Sequence, residues 1–323
     1  MITISEIKKL HTNSDNLRLL KETLNIVPFI GAGVSSCCYP MWKDFLLKSF
    51  NLKTKEKIEL TNILNSGKYE EAASFVSNCV GTTMFNDVVK RTFNPTCINS
   101  NQIYDYALLL PSITKELCLT TNLDGLLEKI FADQEKEIRV ITPNMQDQMN
   151  EAVVSKKRFL VKLHGTQEES TTYVLTKEQY DMAYGLDTQG EVNLSEPTSF
   201  VSCLSRYVAS KTLLFIGCSL DGDRTLKVLR KLTKLTENKI FHYALLELPD
   251  CEEDVIDRER KLLNEYGIRI IWYPKAQYDS IGVILKDLIE NLALNDNLPH
   301  SNLPKVRDCF LGRESELEHV KKK

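Results

Sequence analysis

The stretch that decides the fold reads Ile26-Val-Pro-Phe-Ile-Gly-Ala-Gly-Val-Ser35. A continuous apolar run without polar alternation is typical of a parallel strand that is covered on both faces. Gly31 and Gly33 follow at once, and glycine allows both a sharp turn and a close approach of backbone N–H groups to a pyrophosphate. Ser35 or Ser36 could then cap the following helix, whose N-terminus favours anions. Alone, Gly-x-Gly is a weak signal, because a plain strand-to-helix turn can have the same sequence.

Further short apolar runs follow the first along the chain. They are residues 116–120, 138–141, 158–163, 212–216, 240–246 and 268–272. Longer helical stretches separate most of these runs, and this alternation predicts βαβ units. We therefore predict an α/β fold built on a doubly wound, Rossmann-like parallel sheet.

Two connections are too long to be plain crossovers. Residues 41–110 predict a helical insertion subdomain that caps the ligand site, with breaks near Gly67, Gly81 and Pro95. The second connection, residues 165–210, predicts a polar loop followed by helical segments. These segments lie around Thr176–Tyr184 and Leu194–Ser210.

Composition argues for a soluble globular protein of 323 residues, with 42% hydrophobic and 26% charged residues and a net charge of −3. The sequence has no concentrated basic patch of the kind that predicts a nucleic-acid surface. It also has no apolar run long enough to span a membrane. The N-terminus lacks the layout of a signal peptide, so we expect a cytoplasmic protein. The nine cysteines are scattered without a Cys-x-x-Cys pair, which predicts reduced thiols and no structural zinc.

Polar residues follow several of the predicted strands. Thr121-Asn122-Leu123-Asp124 comes after the run 116–120, at the strand end where open α/β sheets place ligands. The alternative is that Asn122 or Asp124 only caps the helix predicted from Gly125 to Phe131. His164 follows the run 158–163 and precedes a glycine. It could be a general base or a hydrogen-bonded structural residue.

A second glycine turn, Gly217-Cys-Ser219, ends the run 212–216. Its small residues suit contacts with phosphate or ribose. The alternative is an N-cap provided by Asp221 or Asp223 for the next helix.

The ordered set of Gly-Ala-Gly-x-Ser, Thr-x-Asn-x-Asp, Leu-His-Gly and Gly-x-Ser resembles the sirtuin family over roughly residues 20–290. The resemblance implies a sirtuin or deoxyhypusine synthase-like fold and NAD⁺ as substrate. It implies catalytic roles for Asn122, His164 and Asp124. It also implies that further residues bind the dinucleotide: Gly31, Ala32, Gly33, Ser35, Thr121, Gly217, Ser219 and, with weaker support, Glu247.

The chain departs from protein-deacylating sirtuins at two points. Cys38-Tyr-Pro-Met-Trp-Lys-Asp-Phe45 replaces their Gly-Ile-Pro-Asp-Phe-Arg, and their four-cysteine zinc module is absent. The form Tyr-Pro-x-Trp-x-x-Phe-Leu resembles instead the sirtuin-like effector domains of bacterial antiviral defence. Residues 310–317 resemble the opening of a STAND-type nucleotide-binding domain. The expected organisation is a catalytic domain at 1–294, then a linker and the start of a STAND module at 295–323.

The resemblance implies an NAD⁺ glycohydrolase that depletes cellular NAD⁺ as an antiphage abortive-infection effector and needs no metal. Implied partners are NAD⁺, further copies of the longer protein and a phage-derived trigger, with neither nucleic acid nor membrane. Two alternatives stay open. One is an NAD⁺-dependent protein deacylase. The other is a non-catalytic sensor of NAD⁺ or ADP-ribose.

Overall fold

The computed structural model of the protein describes residues 2–23, 26–185, 192–193, 195–220, 224–235 and 240–296. Its centre is a seven-stranded sheet in the order β3-β4-β2-β1-β5-β6-β7, and every pairing between neighbours is parallel. The strands are β1 Ile26–Ile30, β2 Leu117–Thr120, β3 Arg139–Ile141, β4 Phe159–Lys162, β5 Thr212–Ile216, β6 His242–Glu247 and β7 Ile268–Tyr273. The predicted doubly wound α/β fold is confirmed.

Helices cover both faces of this sheet. Within the described residues the α-helices are α1 Ile4–Ile7, α2 Asn13–Lys21, α3 Trp42–Lys48, α4 Thr54–Asn65, α5 Tyr69–Val80, α6 Thr82–Thr92, α7 Leu110–Ile113, α8 Leu126–Asp133, α9 Gln146–Val154, α10 Lys177–Tyr184, α11 Ser199–Ser210, α12 Arg224–Leu235, α13 Glu252–Tyr266 and α14 Asp279–Asp296. None of the described helices combines the length and apolar character that a membrane-spanning segment needs.

The central strands are buried on both faces, and their side chains alternate between two apolar cores. In β5, Leu214 and Ile216 belong to one core, whereas Leu213 and Phe215 belong to the other. This alternation explains why β5 has no polar residue after Thr212, as expected for a strand covered on both faces.

The strand order places a switch point at β1. The chain runs from β1 to β2, β3 and β4 on one side, and then returns to β5 on the other side of β1. In open α/β sheets, a crevice forms at such a point outside the carboxyl ends of the strands. The loops after β1, β2 and β5 are therefore expected to face a common cleft.

Most of the predicted elements are present. All seven strand runs are strands, and the breaks near Gly67, Gly81 and Pro95 separate helices in the segment 41–110. The prediction of helix over residues 195–198 was wrong, because α11 begins at Ser199. Thr198 is its N-cap and accepts a hydrogen bond from the Val201 N–H at 3.1 Å. The predicted caps Asp221 and Asp223 and the predicted tail after 296 lie outside the described residues.

One buried histidine links β5 to β6. The His242 ring Nδ1 accepts a hydrogen bond from the Leu213 N–H at 3.1 Å, next to the backbone pairs that join the two strands. Burial lowers the pKa of His242 to about 4. The ring is therefore neutral near pH 7, which is the state in which Nδ1 can accept a hydrogen bond.

Candidate functional site

A cleft opens at the carboxyl ends of β1, β2, β4 and β5. It encloses about 1400 Å³, part of which is open to solvent. Most of the residues that sequence reasoning assigned to the site line it. They are Gly31, Ala32, Ser35, Thr121, Asn122, Asp124, His164, Gly217 and Ser219. The structure thus brings together side chains from four separate strand ends.

The glycine loop after β1 is packed directly against the loop after β5. The Gly31 N–H donates to the Ile216 carbonyl and the Gly33 N–H to the Gly217 carbonyl, both at 2.9 Å. A Cβ on Gly31 would lie 2.5 Å from the Gly217 oxygen, and one on Gly33 would lie 2.9 Å from it. Gly217 itself has φ +69°, the left-handed region that favours glycine. Side chains are therefore excluded where the two backbones meet.

This packing changes the expected role of the glycines. The Gly31 and Gly33 N–H groups already bond to the β5 loop, so their part is to hold two loops together. Ala32 lies between them in the cleft, and its N–H makes no hydrogen bond to any described group. Of these three N–H groups, the one at Ala32 is the donor left for a phosphate.

Ser35 does not cap a long helix, as the sequence had suggested. It lies in the short 3₁₀ helix Ala32–Ser35, and the next α-helix starts only at Trp42. Its buried hydroxyl instead donates to Asp124 Oδ1 and accepts from Asn122 Nδ2, both at 3.1 Å. Ser35 therefore connects the β1 loop to the two polar side chains of the β2 loop.

Asn122 is buried and held from several sides. Its Nδ2 donates to the Gly31 carbonyl at 3.1 Å as well as to Ser35, and its backbone N–H donates to Thr120 Oγ1 at 3.0 Å. Its Oδ1 is buried and accepts no hydrogen bond from any described group. A buried acceptor without a donor is costly, so this oxygen is suited to receive a hydroxyl from a ligand.

Asp124 is a buried carboxyl next to Asn122. Its Oδ1 accepts from the Leu126 N–H at 3.0 Å, as well as from the Ser35 hydroxyl. Burial raises the pKa of Asp124 above its ordinary value, and Lys162, the Leu126 N–H and Ser35 partly offset that increase. The N-cap of α8 is Gly125, so the alternative in which Asn122 or Asp124 is the N-cap was wrong. Asp124 instead precedes the cap, accepts from the first N–H of α8 and lines the cleft.

His164 lies just beyond β4 and is also buried. The Tyr180 hydroxyl on α10 is 3.3 Å from its Nδ1 and 3.2 Å from its Nε2, with the two rings at 71°. Gly165 follows with φ +87°, and a Cβ there would lie 2.3 Å from the Thr172 oxygen. The glycine lets the chain turn sharply after the histidine, and so leaves the ring facing the cleft.

Two predicted residues do not line the cleft. Gly33 lies behind it in the contact with Gly217. Glu247 ends β6, next to β5, and its carboxylate accepts from the Ala276 N–H at 3.2 Å. The structure therefore gives Glu247 a local partner and brings no support for ribose binding.

Sequence reasoning predicted a helical cap from residues 41–110, but it did not name the side chains that form the outer wall of the cleft. Much of this wall is aromatic or apolar and comes from the chain between residues 39 and 93 and from α10 with the residues just before it. The residues are Tyr39, Pro40, Met41, Trp42, Tyr69, Phe93, Leu175 and Tyr180, with the charged Lys43 and Glu70 among them. Only the Tyr-Pro-x-Trp motif gave a signal in the sequence, and it gave no indication that these side chains would face the ligand.

Within the described part of the chain, no group of three or more His, Cys, Asp or Glu residues is placed to hold a metal ion. Cys37 and Cys38 lie beside the glycine loop with their sulfurs 3.6 Å apart. Burial raises the pKa of the Cys38 thiol to about 11. The polar side chains at the strand ends of the cleft thus include the amide of Asn122, the carboxyl of Asp124 and the imidazole of His164.

Comparison with known families gives a match over part of the chain. Residues 116–271 match the SIR2-like domain family. The matched range contains Asn122, Asp124, His164 and the β5 loop, whereas the glycine loop after β1 precedes it. The resemblance inferred from the ordered motifs is confirmed over residues 116–271, which hold three of the four motifs.

Two curated bacterial proteins are similar to the chain, and both are called NAD(+) hydrolase ThsA. The protein of Acinetobacter baumannii (strain 532279) is 25% identical over 236 residues, which are 71% of this chain and 44% of the relative. The protein of Cytobacillus dafuensis is 24% identical over 305 residues, 86% of this chain and 56% of the relative. The chain thus spans about half the length of the curated relatives it matches.

A solved structure, the crystal structure of a SIR2 homolog–NAD complex, aligns with a TM-score of 0.40 and 14% identity. The alignment covers 88% of this chain and 95% of that one. This similarity is too low to support any argument about the site.

Proposed function

We propose that this chain, which is SIR2-like over residues 116–271, hydrolyses NAD⁺ at the bond between nicotinamide and ribose. The observation that carries the proposal is the hydrogen-bonded group of Ser35, Asn122 and Asp124, which faces one cleft together with His164. The names of the two curated relatives support the same reaction. The products are ADP-ribose, nicotinamide and a proton.

The reaction needs little acid catalysis from the protein. Nicotinamide leaves with the electron pair of the glycosidic bond, because this pair neutralises its positively charged ring. The ribose carbon becomes oxocarbenium-like, and one water adds to it and loses a proton. The protein must hold the ribose, stabilise the positive charge that develops there, and admit only the attacking water.

The residues of the cleft fit these tasks. Asn122 Oδ1, buried and without a described donor, would accept a hydrogen bond from a ribose hydroxyl or from the attacking water. Asp124 would seat the nicotinamide amide beside the Ser35 hydroxyl. His164 would act as the base towards a ribose hydroxyl or the water. The Ala32 N–H, with Thr121 and the β5-loop residues Gly217 and Ser219, would contact the pyrophosphate and its ribose.

An assay of nicotinamide release tests the proposal. The purified chain is incubated with NAD⁺, with and without an acyl-lysine peptide, and free nicotinamide is followed by chromatography. A glycohydrolase releases nicotinamide without the peptide and yields ADP-ribose. Release that requires the peptide would instead indicate a deacylase. Binding of NAD⁺ without any release would indicate a sensor.

The role in the cell is a proposal about a longer protein. We infer that the chain is the effector part of an antiphage system and depletes cytoplasmic NAD⁺ after a phage-derived trigger is sensed. A STAND module after residue 295 would assemble several copies, and no metal would be required. The antiphage role is consistent with the name of the relatives. Assembly is tested by measuring specific activity across a wide protein concentration range, and again in a forced oligomer.

A further inference from the structure

Lys162, the last residue of β4, is the one fully buried lysine in the part of the chain that the structure describes. Its ammonium group has three protons and three acceptors. It donates to the Leu123 carbonyl at 3.1 Å, to the Asp124 carbonyl at 2.6 Å and to Glu128 Oε1 at 2.6 Å. The donors of the ammonium are therefore fully used, and two of the acceptors belong to the β2 loop.

These contacts fix the loop that carries the two polar residues of the cleft. Asn122 is held on its side chain by Gly31 and Ser35. The two carbonyls that follow Asn122 are held by Lys162. The backbone from Asn122 to Asp124 is thus held from both the β1 loop and β4.

Stability alone does not account for a lysine at this place. An apolar residue in a buried position avoids the cost of removing a charge from water, and buried ion pairs are often no more stable than apolar packing. The ammonium also lies at the start of α8, where the helix dipole is positive and disfavours a cation. Glu128, in the first turn of α8, compensates this charge.

We propose that Lys162 is a positioning residue for the NAD⁺-cleaving site, and that it holds the β2 loop so that Asn122 and Asp124 meet the nicotinamide ribose in a fixed geometry. This inference rests on the proposed function. Lys162 does not touch the cleft itself, since it is absent from the residues that line it. Lys162 therefore acts on the site through the carbonyls of Leu123 and Asp124, to which it donates.

The positive charge of Lys162 also favours the ionised form of the Asp124 carboxyl. Lys162 is the strongest of the influences that lower the pKa of Asp124 against the effect of burial. The other titratable groups that interact with Asp124 are Glu128 on α8, and Cys38 and Tyr39 after the glycine loop. Removal of the lysine charge should therefore raise the pH below which the Asp124 carboxylate is lost.

The test is Lys162→Met, which keeps the length of the side chain and removes the ammonium. We expect kcat for nicotinamide release to fall on the order of 10²-fold with KM within about threefold, since misplacement by about 1 Å has this effect. The acid limb of the pH–rate profile should move to higher pH. Amide hydrogen exchange in the peptide that covers 121–126 should become faster.

The matched control is Lys21→Met, which removes another ion pair of low exposure. Lys21 Nζ lies 2.6 Å from Asp287 Oδ2, between α2 and α14 and away from the cleft. This variant should melt at a lower temperature with kcat, the pH profile and exchange in 121–126 unchanged. If Lys162→Met behaves in the same way, the positioning role is wrong.

Two further outcomes separate the proposals. If wild-type protein releases no nicotinamide, the proposed function fails, and exchange in 121–126 alone decides whether Lys162 holds the loop. If Lys162→Met does not fold, Lys162→Gln is used, whose amide can still donate to one carbonyl. Failure of both variants to fold, with Lys21→Met folded, would show that Lys162 serves the fold rather than the site.

Discussion

The Ser35 hydroxyl and the Asp124 carboxyl are 3.1 Å apart, although the two residues are 89 positions apart in the chain. The same hydroxyl accepts from Asn122 Nδ2. The β1 and β2 loops are thus joined by side chains as well as by the sheet. The catalytic group that we propose depends on this serine, which bonds to two of its three members, Asn122 and Asp124.

Replacement of Ser35 by alanine should therefore affect both neighbours. Asn122 loses an acceptor and Asp124 loses a donor, so we expect kcat for nicotinamide release to fall by at least about tenfold. The unfolding free energy should fall by about 1–3 kcal/mol, since buried polar groups lose partners. Ser36→Ala is the control, because Ser36 is exposed and its hydroxyl bonds to the Gly33 carbonyl and to Tyr104, neither of which lines the cleft. Equal activity in the two variants would contradict the proposed network.

The catalytic assignment is tested by His164→Ala and Asn122→Ala. Each should reduce nicotinamide release by about 10²–10⁴-fold, the usual effect of losing a general base or a comparable catalytic group. Both variants should still melt cooperatively, because the residues lie in strand-end loops rather than within a strand. Near-normal turnover in either variant, measured at saturating NAD⁺, would refute its role.

The strands and the ends of the strands could be predicted from the sequence, because continuous apolar runs followed by glycine or polar residues reflect a buried parallel sheet. The bonds within the site could not be predicted. No sequence pattern indicated that the Gly31 and Gly33 N–H groups would bond to the β5 loop rather than remain open to a phosphate. That bonding depends on strand order, which places β5 next to β1.

Contacts between residues that are far apart in the sequence were also not predicted. Tyr180 comes 16 residues after His164, on a helix that was predicted without any contact to the histidine. Lys162 did give a signal, since a lysine inside the run Phe-Leu-Val-Lys-Leu is unusual for a buried strand. Its acceptors come from the β2 loop and α8, and only the folded structure identifies them.

Gly33→Ala tests the contact between the two glycine loops. The new Cβ would lie 2.9 Å from the Gly217 oxygen and 3.0 Å from its Cα, and both of these atoms are backbone. The loops must separate, so we expect a loss of about 1–3 kcal/mol in unfolding free energy and weaker NAD⁺ binding by calorimetry. Gly282→Ala in α14 is the control, because its Cβ meets Tyr106 at an ordinary 3.6 Å and alanine favours helix. A Gly33→Ala variant as stable as the control would contradict the packing described.

His242 makes the stability of the fold depend on pH. The pKa of the ring falls from its ordinary 6.5 to about 4 in the folded protein. Above pH 6.5 neither the folded nor the unfolded state binds this proton, and stability is unaffected. Between pH 6.5 and 4 the unfolded chain binds the proton and the folded protein does not, so the unfolding free energy decreases as the pH falls. The decrease approaches about 3 kcal/mol, from 1.36 kcal/mol for each pKa unit.

His242→Gln isolates this effect from the carboxylates that titrate in the same range. The amide oxygen of glutamine can still accept from the Leu213 N–H, and it does not titrate. Unfolding by urea should be measured for both proteins at several values between pH 7.5 and 4. The difference between wild type and variant should change by about 3 kcal/mol across this range, with wild type losing more at low pH. Parallel curves would mean that the folded and unfolded states bind this proton equally, and that the folded ring is not held neutral to join β5 to β6 through Nδ1.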